Sequence, residues 1–151
     1  MTIDKAIVPV DGSEVALKAA RLASHFAVKH GWEIILLHVV ERPPMPSHAF
    51  PDNVVEQTLH QLHEYGERLL SDAQQVFRDA GMDAETRLVE GSAPEMILEE
   101  IASESCGIVV LGSTGLGRGK LQSLLFGSVA EQVIRKARVP ILLVKEDTEI
   151  C

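Results

Sequence analysis

Two cysteines in 151 residues, Cys106 and Cys151, form neither a CxxC pair nor a disulfide framework. Their scarcity excludes a disulfide-stapled secreted scaffold and favours a reducing compartment. Aromatic residues are also few, one Trp, one Tyr and four Phe, so a core built by this chain must be aliphatic. No apolar run approaches the ~20 residues that cross a bilayer; the longest are IILLHVV and PILLV. Positive charge is in deficit as well, with 14 Lys and Arg against 22 Asp and Glu and a net charge of −8. A surface of that sign has no footprint for nucleic acid or for an anionic membrane. The opening MTIDKAIVPVDGS has neither a basic n-region nor a hydrophobic h-region, so the expected location is the cytoplasm.

What the chain does have is alternation. KAIVPV (Lys5 to Val10), EIILLHVV (Glu33 to Val40), DAETRLV, GIVVLG (107 to 112) and VPILLV (Val139 to Val144) read as strands. The central ones are continuously apolar, as strands covered on both faces must be. Between them lie helical stripes. Ala16, Ala20, Ala23 and Ala27 follow the cap Ser13 and stop at Gly31; Val55, Leu59, Leu62, Leu69, Ala73 and Val76 mark a helix from Asn53 to Ala80. Ser92 with Glu95, and Ser128 with Glu131, stand at capping-box spacing before two shorter helices, the second running to Ala137. Glu41 to Asp52, with four prolines, can only be a surface loop. The order predicts one α/β domain over residues 1–151, a doubly wound, Rossmann-like five-stranded parallel sheet with helices on both faces.

In such a sheet ligands bind beyond the carboxyl ends of the strands, where the strand order reverses. Val10-Asp11-Gly12, Val39-Val40 and the segment from Gly112 belong to that edge. The stretch GSTGLGRGKLQSLLFGS, residues 112 to 128, supplies glycines whose N–H groups can approach an anion, and a helix begins at its end. Arg118 and Lys120 add positive charge. The segment therefore suits a phosphate, with a plain flexible connector as the alternative. It is neither GxxxxGK[ST] nor GxGxxG, which speaks against a P-loop NTPase and a dinucleotide-binding domain. His48, His60 and His63 lack ligand spacing and read as a solvated face, so no metal site of protein side chains is expected. His38 reads as a satisfied core histidine and Cys106 as a packing residue. Asp11, followed by Gly12 and Ser13, has turn chemistry as its alternative role.

The residues IVPVDGSEVALKAARLA, ILLHVVE and GIVVLGSTGLG…LLFGSVAEQVIRKARVPILLVK together resemble the universal stress protein family over nearly the whole chain. Its nucleotide-binding branch carries G-x2-G-x9-G-[ST]. Here Gly112 and Gly115 supply the first part and Gly127-Ser128 the last, with eleven residues rather than nine between Gly115 and Gly127. The resemblance implies an adenine nucleotide alpha hydrolase-like sheet that binds ATP, with AMP or cyclic AMP as alternatives, in a stress-response role. It also implies site roles: Asp11 on the ribose hydroxyls, Pro9, Val10 and Val39 around the adenine, and Leu111 and Gly112 closing the pocket. Thr114, Gly115, Gly127, Ser128 and Val129 would line the phosphates, bridged by Mg²⁺. No triad, no base beside a nucleophile and no arginine finger are legible, so hydrolysis is expected to be slow at most. The final strand, Val139 to Val144, is expected at a sheet edge and open to pairing in a homodimer. A dimeric interaction module without ligand is the remaining alternative.

Overall fold

The computed structural model describes residues 2–46, 48–114 and 126–150. Five strands form in it, β1 (Lys5–Pro9), β2 (Glu33–Val40), β3 (Glu85–Glu90), β4 (Ile108–Gly112) and β5 (Ile141–Val144). Between them run α1 (Glu14–His30), α2 (Asp52–Asp79), α3 (Ala93–Ser103) and α4 (Ser128–Lys136). Every pairing is parallel, in the order β3-β2-β1-β4-β5. Successive strand residues serve opposite faces. Ala6, Val8, Ile34, Leu36 and Val110 pack with the alanine stripe of α1 and with Leu70 and Phe77 of α2. Ile7, Ile35, Leu37, Val109 and Leu111 pack with Ile97 and Ile101 of α3 and Ala130 and Val133 of α4. The aliphatic core is thus two layers, one on each side of a sheet without a wet face.

Helix ends match the sequence reading at α1 and depart from it at α3 and α4. Ser13 caps α1 with Oγ accepting from Ala16 N at 3.1 Å, and Gly31 ends it. Neither expected capping box forms. The Ser92 side chain makes no cap bond; the first amide of α3, Ala93 N–H, instead donates to Glu41 Oε1 at 2.8 Å. At α4 the cap position is Gly127 and Ser128 is the first helical residue. The Gly127 N–H donates to the Ser113 carbonyl at 2.8 Å and the Gly127 carbonyl accepts from Glu131 N, so the helix starts one residue earlier than a serine cap would have it. Strand β5 starts at Ile141 rather than Val139, after Pro140, which lacks an N–H and offers only its carbonyl to Val109 N.

α2 lies hard against the sheet at Gly66. A Cβ there would stand 2.6 Å from both His38 Cδ2 and Leu88 Cδ1. At the far end of α3, Arg87 of β3 donates to Glu100 at 2.7 Å, to Glu104 at 2.5 Å and to Glu85 at 2.7 Å. Lys5 reaches Glu104 at 3.3 Å. These donors, Arg87 first and Lys5 second, hold the Glu104 carboxyl below the usual carboxylate range.

Two predictions follow from this packing. Gly66→Ala should destabilise the protein by about 1–3 kcal/mol in denaturant unfolding, as overpacking a close contact does; a neutral substitution would show that α2 can lift without loss. Arg87→Met should lower the urea midpoint at pH 7. Because Glu104 is depressed in the folded state, its contribution is present above its unfolded pKa and disappears as pH falls through the folded one. The deficit of Arg87→Met should therefore shrink on acidification, and a deficit independent of pH would assign the effect to packing alone.

Candidate functional site

From β1 the chain steps outward through β2 to β3, then crosses to β4 on the other side of β1. The segments leaving β1 and β4 therefore diverge, and a crevice opens between them at the carboxyl edge. It is a cavity of about 380 Å³, within the range of small-molecule sites. Pro9, Val10, Asp11, Val39, Leu111, Gly112, Thr114, Gly127, Ser128 and Val129, expected from the sequence to share a site, all line it. Gly115, Arg118 and Lys120 lie outside the described residues. The wall also includes Glu41, Leu62, Tyr65, Ala93 and Ile97, which the sequence reading did not assign.

Asp11 has a turn role here. Its Oδ1 accepts from Ser13 N at 2.9 Å and from Ser13 Oγ at 2.6 Å, and Ser13 Oγ in turn caps α1. One carboxylate oxygen is thereby occupied, which also fixes the orientation of the side chain at the cleft. His38 is satisfied in the core: Nδ1 lies 2.8 Å from the Val10 carbonyl and is the donor of that bond. Gly112 has a packing reason for its missing side chain. A Cβ there would stand 2.8 Å from Val15 Cγ1 and 3.2 Å from Ala16 N, so the first turn of α1 needs that space.

Two helix N-termini face the cleft, through Ala93 of α3 and Gly127 to Ala130 of α4. They differ in charge balance. Glu41 places a carboxylate on the first amide of α3, whereas no side chain among the described residues caps α4. The positive end of the α4 dipole is thus the one left to attract an anion. The bond from Gly127 N–H to the Ser113 carbonyl brings the two ends of the glycine-rich segment together beside it. Thr114, buried, donates from Oγ1 to Glu146 Oε1 at 3.0 Å, and Lys18 Nζ donates to the Glu146 carbonyl. Glu146 stands in the polar tail after β5, where no periodicity or motif points to it.

Other chemistry is accounted for. Among the described residues no three His, Cys, Asp or Glu side chains cluster as metal ligands. His60 pairs with Glu64 at 3.1 Å and His63 with Glu90 at 3.4 Å. The Cys106 thiol donates to the Ile108 carbonyl, and burial pushes its pKa up, away from a reactive thiolate. No helix among the described residues is long and apolar enough to cross a membrane.

Residues 2–145 match the model of the universal stress protein family. Universal stress protein MJ0531 of Methanocaldococcus jannaschii is 31% identical over 145 residues, covering 94% of this chain and 82% of that protein. The solved structure of MJ0577 superimposes with a TM-score of 0.84 at 28% identity, over 99% of this chain and 100% of that one. The fold is shared at lower identity by the universal stress protein of Archaeoglobus fulgidus in complex with dAMP. That structure has a TM-score of 0.64 and 23% identity, over 96% of this chain and 100% of that one. A universal stress protein in complex with cAMP has a TM-score of 0.66 and 24% identity, over 96% and 98% of the two chains.

Proposed function

The chain belongs to the universal stress protein family, and on that premise we propose that it is a stress-response protein that binds an adenine nucleotide, ATP foremost, in the cleft at the β1–β4 switch point. The observation that carries this reading is the chemistry gathered in one cleft. Pro9, Val10 and Val39 offer an apolar slot for the base, Asp11 a carboxylate for the sugar, and α4 an uncapped N-terminus for phosphate. Thr114, Gly127, Ser128 and Val129, joined by Gly115, Arg118 and Lys120, are assigned to the phosphates. The nucleotides bound by structural relatives are adenine monophosphates, dAMP and cAMP, which supports the base and leaves the phosphate number to measurement.

Magnesium belongs to the proposal as a partner of the phosphates. Mg²⁺ keeps several waters and takes one or two carboxylates with phosphate oxygens rather than a protein cage. Glu146, which accepts from Thr114 at the proposed phosphate end, supplies a carboxylate of the kind that habit uses. The ion would neutralise phosphate charge; Thr114 and the α4 amides would orient the chain of phosphates. The proposed role is regulatory, with hydrolysis slow at most. The buried, reduced Cys106 suits the cytoplasm.

Calorimetry with ATP, ADP, AMP and cyclic AMP should detect binding and rank the four. Failure of all four to bind would overturn the reading. Asp11→Ala should weaken binding by roughly 1–3 kcal/mol, the worth of charge-assisted hydrogen bonds to the sugar. Unchanged affinity would leave Asp11 with its turn role alone.

Assembly into a homodimer through the last strand is the second part of the proposal. β5 is an edge of the sheet, and Ile141, Leu142 and Leu143 are only partly buried. Antiparallel pairing with the same strand of a second copy would satisfy its open backbone groups and close a two-fold interface. Light scattering at micromolar concentration should give twice the chain mass, and Leu142→Lys, verified as folded by circular dichroism, should halve it. A monomeric wild-type protein would reject the dimer and leave the nucleotide site standing.

A further inference from the structure

The contact at Gly66 sets α2 down over β2 and β3, and the preceding residue, Tyr65, is carried to the rim of the cleft. Leu62, one turn earlier, lines the same wall. A Cβ on Gly12 would stand 2.7 Å from Tyr65 Oη. The hydroxyl therefore lies over the turn that holds Asp11, in space that exists because Gly12 has no side chain. Gly12 also has φ +90°, a conformation that side chains oppose. Tyr65 is the one tyrosine of the chain and is 39% exposed. No described residue hydrogen-bonds to its hydroxyl, although its neighbours on α2, Thr58 and His63, both have partners.

Asp11 presents a matching deficit. Both lone pairs of Oδ1 are engaged by Ser13, so Oδ2 remains as an acceptor. A ribose hydroxyl is a donor and an acceptor together, and a carboxylate can answer only the donor. A donor beside Asp11 would complete the pairing of that oxygen. We propose that Tyr65 is a ligand-binding residue that recognises the ribose of the nucleotide, its O–H donating to the 2′-oxygen while the 2′-hydroxyl proton goes to Asp11 Oδ2. This rests on the nucleotide reading of the cleft and adds to it a preference for ribose over 2′-deoxyribose. The Tyr65 ring also closes the open side of the sugar with apolar surface.

The test is calorimetry of the wild-type protein and of Tyr65→Phe with ATP, 2′-deoxy-ATP, AMP and 2′-deoxy-AMP. Wild type should bind each ribonucleotide more tightly than its deoxy counterpart by roughly tenfold or more, since the 2′-hydroxyl makes two hydrogen bonds, one from Tyr65 and one to Asp11. In Tyr65→Phe that preference should shrink by roughly fivefold or more, to what the Asp11 bond alone gives, with deoxynucleotide affinity nearly unchanged because only the hydroxyl is removed. Tyr65→Ala, which also removes the ring, should weaken ribo- and deoxynucleotides alike. A preference undiminished in Tyr65→Phe, an equal loss of both affinities in that variant, or a wild type indifferent to the 2′-hydroxyl would each overturn the role of Tyr65 while the nucleotide site stands. Absence of binding by any of the four to wild type would overturn both.

Discussion

Everything in this molecule depends on burying a parallel sheet on both faces. Strands that must be apolar on each side leave polar chemistry only at their ends, and the chain has to reverse its direction of winding once to cover both faces. That reversal falls between β1 and β4. The two segments emerging there cannot be covered by the same helix, so a crevice is forced open at the centre of the carboxyl edge. Its floor is whatever follows Pro9, Val39 and Gly112, and α2, α3 and α4 supply its walls.

The hydrogen-bond pattern gives the crevice a direction. With Glu41 set on the start of α3 and no described side chain capping α4, one flank carries negative charge and the other an uncapped dipole end. A bound anion meets repulsion at the first and attraction at the second. Asp11, fixed by Ser13, stands with the Tyr65 hydroxyl at the β1–α1 turn. Under the proposed reading these features answer an apolar ring, a diol and an anion in turn.

Much of this was legible in the residues. Alternation of apolar runs and helical stripes predicted the five strands and four helices of the described residues, because covered strands and amphipathic helices have different periods. Turn residues Asp11-Gly12-Ser13 and the Gly112 and Gly127-Ser128 anchors marked the edge where the cleft lies. What stayed hidden was side-chain geometry across long separations. Glu41 capping α3 spans 52 residues and Thr114 bonding Glu146 spans 32; no local pattern announces either. Tyr65 was invisible for another reason: it lies beside the helical stripe, and only the close seating of Gly66 turns it toward the cleft. The capping-box spacing misled at Ser92 and Ser128, since a distant carboxylate and a distant carbonyl took over the work that local pairs do in isolated helices.

The bond between Gly127 N–H and the Ser113 carbonyl has an evolutionary meaning as well as a structural one. It clamps the segment between those residues at its base, so the position of α4 is set by the clamp and by the core beneath Ala130 and Val133, whatever the length of chain in between. Closing a loop of a few more residues costs only a few tenths of a kcal/mol. Insertion and deletion are thereby uncoupled from the anion end of the cleft. A lineage carrying this clamp can try segments of different length and charge, one mutation at a time, against an unchanged frame, and so alter this flank of the cleft without refolding the protein.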